Sequence, residues 1–233
     1  MNAIVTGATK GIGLSIVKHL AANNYNLALC ARNAEDLRNL KQKLTTEHPN
    51  IRVIYKSIDL TEASAVKDFA RFVREHFDSI DVLINNAGLF IPSKLFDEQE
   101  DALEKQMQLN LYTPHLLSKI FGGLMKEAGK GHIFNICSVA SLQPVPGAAS
   151  YSISKIALLG LTRVLREELV PDGVKVTAIM PGSTLTASWE GTDIPPGHFI
   201  DPDDIAEAVI QCLNTSSGAN IDELIIRPLR GNL

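Results

Sequence analysis

NAIVTGATKGIGLSIVKHLAA, Asn2 to Ala22, sets a short apolar run, a glycine-rich turn and an amphipathic run in immediate succession. Asn2 to Thr6 has the length and β-branched content of a buried strand, and Gly11 to Ala22 the length of a helix. The turn between them reads TGATKGIG, Thr6 to Gly13, with glycines spaced GxxxGxG. Gly7 permits a tight turn with unusual backbone angles. Gly11 has no side chain to obstruct an approaching phosphate, and Gly13 lets the helix lie close on the sheet. A helix N-terminus there offers free N–H groups and a partial positive charge to a pyrophosphate. A glycine trio alone also suits an ordinary strand-to-helix turn. Its place directly after the first strand favours dinucleotide binding.

The same alternation continues outward. NLALCA, IRVIYKS, IDVLIN, HIFNICS, VKVTAIM and DELIIRP read as further strands. Glu35 to Glu47 and Ala63 to Phe77 read as helices between them, and DDIAEAVIQCL as another near the end. The strands are almost continuous apolar runs, as expected where helices cover both faces of a sheet. Strand–helix alternation with right-handed crossovers gives an α/β, Rossmann-like, doubly wound parallel sheet of about seven strands. No linker or repeat divides the chain, so one domain over residues 1–233 is expected, with a loop at about 183–202.

The bulk properties exclude several classes. A net charge of -4 lacks the basic excess of a nucleic-acid binder. The three cysteines, Cys30, Cys137 and Cys212, are scattered and form no CxxC pair, which suits a reducing compartment. The six histidines show no spacing suited to zinc, and no metal is expected. The first apolar run is too short for a signal peptide, and none approaches the roughly 20 residues of a membrane span. The default location is the cytoplasm.

Two groups of residues carry the chemistry. At the end of the second strand, Leu29-Cys30-Ala31-Arg32-Asn33 lacks the acid that binds a ribose 2′-hydroxyl in NAD-preferring folds. Arg32, with Lys10 from the glycine loop, could instead hold a 2′-phosphate; both could equally be solvated surface charges. YSISK, Tyr151 to Lys155, opens a helical run, so the two side chains share one face. A phenol is a poor acid at neutral pH, and a nearby ammonium stabilises its phenolate. Ser138 follows the fifth strand, at the sheet edge where ligands sit, and could polarise a carbonyl oxygen. YxxxK alone is common by chance. Its weight comes from the glycine loop and the serine.

With these motifs in order, the chain resembles the short-chain dehydrogenase/reductase family along essentially its whole length. TGATKGIG resembles the family's cofactor loop, Asp59-Leu60 its adenine contact, and NNAG, Asn85 to Gly88, its fourth-strand motif. Asn110, Ser138, Tyr151 and Lys155 match its catalytic positions, and Pro181-Gly182 the motif beside the nicotinamide. The resemblance implies NADP(H) held by Gly7, Thr9, Lys10, Gly11, Ile12, Gly13 and Arg32. It adds Asp59, Leu60, Asn86, Ala87, Gly88, Pro181, Gly182, Thr184 and Thr186, with Tyr151 and Lys155 both cofactor-binding and catalytic, Lys155 by anchoring the ribose and lowering the tyrosine pKa. It implies hydride transfer to or from a carbonyl, as in enzymes acting on CH–OH donors, with Tyr151 as proton donor. Asn110 is implied to hold a water linked to Lys155.

The substrate is less legible. Leu89, Phe90, Val139, Leu142, Val145 and Trp189 are candidate lining residues and imply a hydrophobic carbonyl compound. The chain is similar to 3-oxoacyl-carrier-protein reductases and to sepiapterin-type carbonyl reductases. Lys126 and Lys130 are plausible cations for an acidic carrier protein, whereas Glu167, Glu168 and Asp172 oppose that partner. A general carbonyl reductase is preferred. A catalytically silent, cofactor-sensing binding module is the alternative of another class. Apolar excess in Leu103 to Lys126 and Ser152 to Val170 suggests a homodimer or homotetramer, and the short tail after the last strand leans towards the dimer.

Overall fold

The computed structural model describes residues 1–186, 189, 191 and 193–231. Its strands are β1 (Asn2–Thr6), β2 (Asn26–Ala31), β3 (Val53–Ser57), β4 (Val82–Asn85), β5 (Gly131–Ile136), β6 (Val174–Pro181) and β7 (Glu223–Ile226). All pair in parallel, in the order β3-β2-β1-β4-β5-β6-β7. The chain winds outward from β1 to β3, then restarts at β4 on the other side of β1. That reversal opens a crevice beyond the C-terminal ends of β1 and β4, where ligands bind in open α/β sheets.

Successive residues of β1 enter opposite cores, which is why the strand reads as a continuous apolar run. Val5 joins Leu29 and Ile179 beneath α1 (Gly11–Ala22), α2 (Ala34–Glu47) and α7 (Pro202–Leu213). Ile4 joins Leu83 and Ile133 beneath α3 (Ala63–Arg74) and α5 (Thr113–Ala128). Leu20, Leu37 and Val209 fill the first core; Phe69 and Phe121 fill the second. The sheet is thus covered on both faces, and one sheet unites the described residues.

Local chemistry sets the helix ends. Asn33 caps α2, its Oδ1 accepting from the N–H groups of Glu35 and Asp36 at 2.9 and 3.2 Å. Helix α3 stops at Arg74 rather than Phe77, because the chain then turns to bury Phe77 and Ile80 in the second core. The run expected as one helix from Leu103 is divided. A short α4 (Ala102–Met107) passes into a π-turn at Gln108–Tyr112 before α5 begins. The Thr113 hydroxyl faces the carbonyls of Leu60 at 2.6 Å and Gln108 at 3.1 Å, stabilising the wide turn. Helix α6 (Ala149–Leu169) then carries the YSISK motif in its first turns.

Candidate active site

The glycine loop leaves β1 with Gly7 at φ +64° and Gly11 at φ +52°, both in the left-handed region. Gly13 is required for a reason beyond helix–sheet proximity. A Cβ there would lie 2.2 Å from the Gly7 carbonyl oxygen and 2.4 Å from Asn86 Nδ2. Asn86 Nδ2 donates to the carbonyls of Thr6 and Gly7 at 2.9 and 3.2 Å, and Thr6 Oγ1 accepts from the N–H groups of Asn86 and Ala87, each at 3.0 Å. The NNAG segment therefore buckles the end of β4 onto the loop. Its first member, Asn85, is structural: its Nδ2 donates to Asn135 Oδ1 on β5 at 2.8 Å. Thr186, from the loop after β6, closes on the other side, with its methyl 3.0 Å from where a Gly11 Cβ would stand.

Thr9 is half-buried on this loop, and Lys10 beside it is exposed. Arg32 is exposed just past β2. The Ala8 N–H donates to the Cys30 carbonyl at 3.3 Å, so the glycine loop and the end of β2 run side by side. Among the described residues, neither Lys10 nor Arg32 forms an ion pair. The Thr61 backbone and hydroxyl both donate to Asp59 Oδ1, at 2.9 and 2.8 Å, holding that carboxyl below the usual range, with a smaller pull from Arg32. Leu60 is buried.

Four elements bring the chemical residues together. Tyr151 sits half-buried in the first turn of α6 and Lys155 one turn later, only 5% exposed. Lys155 Nζ donates at 2.8 Å to the carbonyl of Ile136, the last residue of β5, and stands 5.8 Å from the Tyr151 ring centroid. Ser138 follows that strand. Its Oγ accepts from the Ala140 N–H at 3.1 Å, and among the described residues its hydroxyl proton has no acceptor. Asn110 lies in the π-turn, fully buried. It bonds both peptide groups of Leu89, at 2.7 and 2.9 Å, and donates to Ser154 Oγ at 2.9 Å. Ser154 in turn donates to the Tyr151 carbonyl at 2.7 Å. Asn110 thus ties the Leu89 backbone to the first turns of α6, and Ser154 is a link the sequence did not reveal. Gly88 lies close against Asn110 and Lys155, since a Cβ there would stand 3.3 Å from Asn110 Oδ1 and 3.6 Å from Lys155 Nζ.

Ser138, Tyr151, Lys155 and Gly88 border a cavity of about 370 Å³, whereas Asn110 and Ser154 are not part of its lining. Ile12, Asn86, Gly88, Pro181, Gly182 and Thr184 form its cofactor-loop side. Leu89, Phe90, Val139, Val145 and Trp189 line it as the sequence suggests, and Ala140 and Ala148 join them. Leu142 does not: the tight turn at Val139–Ser141 buries Ala140 and Ser141 and sends Leu142 to the surface. Cys137 also lines the cavity, but burial pushes its thiol up to about 11 against an opposing pull from Lys155, so it remains a neutral thiol at pH 7. Among the described residues, Lys155 is the one charged side chain on this surface.

The loop at 183–202 lies over the cavity. Leu185 N–H donates to Ile200 O and Ile200 N–H to Ser183 O, each at 2.9 Å, so the Thr184 peptide groups face away from that bridge. Trp189 packs on Phe199, with ring centroids 5.0 Å apart. Positions 187, 188, 190 and 192 of this loop lie outside the described residues, as do 232 and 233 of the tail. The cations considered for carrier-protein docking are misplaced for this cleft. Lys126 pairs with Asp172 at 2.8 Å and Lys130 with Asp81 at 3.7 Å. They precede β5, whereas Ser138 follows it, and a six-residue strand spans about 20 Å.

Residues 1–194 match the family model described as short chain dehydrogenase. An uncharacterized oxidoreductase of Staphylococcus epidermidis is 35% identical over 228 residues, covering 97% of this chain and 96% of that protein. The fold superposes with a TM-score of 0.91 on an alcohol dehydrogenase of the archaeon Thermococcus sibiricus complexed with 5-hydroxy-NADP, at 30% identity, covering 100% and 98% of the two chains. A metagenomic short-chain oxidoreductase in complex with NADP gives 0.85 at 31% identity, covering 98% and 96%.

Proposed function

The chain belongs to the short-chain dehydrogenase family of oxidoreductases, and from that premise we propose that it is an NADP(H)-dependent carbonyl reductase with Tyr151 as its general acid. One observation carries the reading. A buried ammonium, a phenol and a serine hydroxyl whose proton has no acceptor among the described residues converge on one cavity beside the glycine loop. When bound, NADP(H) supplies or accepts the hydride.

The residues present fit that cofactor. Any side chain at Gly13 would fill the cradle formed by Gly7 and Asn86. Lys10 and Arg32 are exposed cations outside any ion pair among the described residues, suited to a 2′-phosphate. Asp59 spends Oδ1 on Thr61 and keeps Oδ2 for the adenine. The Thr184 peptide and Thr186 hydroxyl are assigned to the carboxamide. Ser138 donates a hydrogen bond to the substrate oxygen and orients it, keeping its own proton. Tyr151 transfers a proton to the same oxygen. Lys155 places positive charge beside the phenol, and Asn110 holds the Leu89 backbone and the Ser154–Tyr151 link in register.

The apolar lining, with Lys155 as its one described charge, favours an uncharged, hydrophobic carbonyl compound. The far-edge position of Lys126 and Lys130 removes the support they lent to an acyl-carrier substrate. Exposed Tyr112, Ile153, Ile156 and Val164 favour a homo-oligomer, checked by light scattering. The decisive test is Tyr151→Phe. Turnover of NADPH against diketones, quinones, aromatic aldehydes and a β-ketoacyl thioester should vanish while NADPH binding stays nearly intact. Substantial residual turnover refutes the assigned acid.

A further inference from the structure

Phe90 meets Tyr151 edge to face, with ring centroids 4.9 Å apart and planes at 81°. At 45% exposure, Phe90 is not held by burial of its own ring. A side chain so open ordinarily samples several rotamers. Here the backbone on both sides of it is fixed. Before it, Asn110 bonds the N–H and carbonyl of Leu89. After it, the Ile91 N–H donates to Gln106 Oε1 at 3.0 Å.

Gln106 has no exposed surface, and its Nε2 donates to the Ala102 carbonyl at 3.3 Å. It stands four residues before Asn110, so both carboxamides reach the 89–91 segment from one helix face. Burying a carboxamide is costly unless both its ends are bonded. One end is engaged within its own helix. The other is aimed across at Ile91.

We propose that Gln106 is a positioning residue: by fixing Ile91 it holds Phe90 as a plate against Tyr151, restraining the phenol and limiting the carbonyl substituent admitted beside it. The catalytic consequence rests on the reductase reading above; the clamp itself does not. Helix α6 fixes the Tyr151 backbone, but the ring still turns about its own side-chain bonds. Phe90 blocks one side of that rotation. An edge-to-face pair biases such an equilibrium by about two- to tenfold. Loosening Phe90 should lower turnover by that factor without weakening NADPH binding. It should also widen tolerance for bulky ketones.

The clamp can be read without substrate. The chain has four tyrosines, and in ring-labelled, cofactor-free protein the Tyr151 NMR signal is identified by its loss in Tyr151→Phe. Phe90→Leu defines the signal without the plate. In Gln106→Met, which keeps length but loses the acceptor, the Tyr151 signal should move towards that position, and turnover of any carbonyl reduced by the wild type should fall by about two- to tenfold. Gln106→Glu supplies the rescue, because its carboxyl still accepts from the Ile91 N–H whether protonated or ionised, and when protonated it also keeps the bond to Ala102. Its Tyr151 signal near pH 6 should match the wild type where that of Gln106→Met departs. A residue that merely filled space would give the same signal in both variants. A Tyr151 signal unchanged in folded Gln106→Met, or displaced as far in Gln106→Glu near pH 6 as in Gln106→Met, overturns the proposal. If Gln106→Met does not fold, Gln106→Asn, one methylene too short to reach Ile91, takes its place. Failure of the wild type to reduce any carbonyl overturns the reductase reading and leaves the NMR result to judge the clamp.

Discussion

His132 should make the protein acid-sensitive in a way that one substitution removes. It lies on β5 at 5% exposure, its ring stacked on Phe134 with centroids 3.9 Å apart. Its Nε2 is 2.8 Å from Thr177 Oγ1 on β6. That hydroxyl donates its own proton to the Ile221 carbonyl at 2.7 Å, so it can only accept from His132. The neutral imidazole carrying its proton on Nε2 satisfies the site. Burial, with a smaller contribution from Lys175, pushes its pKa down to about 3. Above the ordinary value of about 6.5, folded and unfolded states are both neutral and His132 adds no pH dependence. Below it, the unfolded chain binds a proton that the native state refuses. Stability then falls by about 1.4 kcal/mol per pH unit until the native state also protonates near pH 3. Between pH 7.5 and 5 the loss is about 2 kcal/mol, or roughly 4–8 °C in Tm for a chain of this size. Thermal melts of wild type and His132→Gln across that range test this. The glutamine keeps a donor for Thr177 but does not titrate, so its curve should be flatter by that amount. Parallel curves would refute the neutral, buried imidazole.

Three further outcomes follow from the exposed cations and from two contrasting glycines. Arg32→Ala should raise KM for NADPH by about tenfold, with Lys10→Ala adding a smaller rise, and leave KM for NADH unchanged, as measured by initial rates. Equal losses with both cofactors would remove the 2′-phosphate role. Gly13→Ala forces a Cβ to within 2.2 Å of the Gly7 oxygen and should cost about 1–3 kcal/mol together with NADPH affinity, read by denaturation and fluorescence titration. Gly123→Ala is its contrast: exposed inside α5 with nothing within 4 Å of its Cβ, it should stabilise the fold by about 1 kcal/mol.

The sheet was legible because its strands are buried on both faces and so carry unbroken apolar runs. Ile4 and Val5, consecutive in sequence, serve different cores. The glycine loop was legible because positive φ and close approach leave a mark on residue type. The π-turn was not, since its cause is a set of tertiary bonds from Asn110 and Thr113 to Leu89 and Leu60. Gln106 was missed for a related reason. In ALEKQMQLN a glutamine reads as a solvent-facing polar residue, yet it is fully buried. The available signal was its spacing of four from both Ala102 and Asn110, which puts all three on one face. The exposure of Leu142 is not written in the sequence, because a single turn of helix at Val139–Ser141 is enough to reverse where a side chain points. Lys126 and Lys130 lie before β5 and the cavity beyond its other end, a separation that only the strand's direction reveals.

The choice between an enzyme and a silent binding module turns on what the site costs. Taking an ammonium out of water is penalised by several kcal/mol unless its donors are engaged. Lys155 is 5% exposed and, among the described residues, its bonded acceptor is the carbonyl of Ile136. The remaining donors face the cavity near Gly88 and the Tyr151 ring. A module that only bound a dinucleotide could hold its phosphates with the glycine loop and the exposed cations Lys10 and Arg32, which bear no such penalty. Nor would it need Ser138 to keep, at 9% exposure, a hydroxyl proton with no acceptor among the described residues. Such groups hold stability in reserve for a ligand that makes use of them. Both point into the same cavity as the phenol, where a carbonyl oxygen would accept a hydrogen bond from Ser138 and the proton from Tyr151. That shared direction, rather than the presence of any one residue, argues for catalysis.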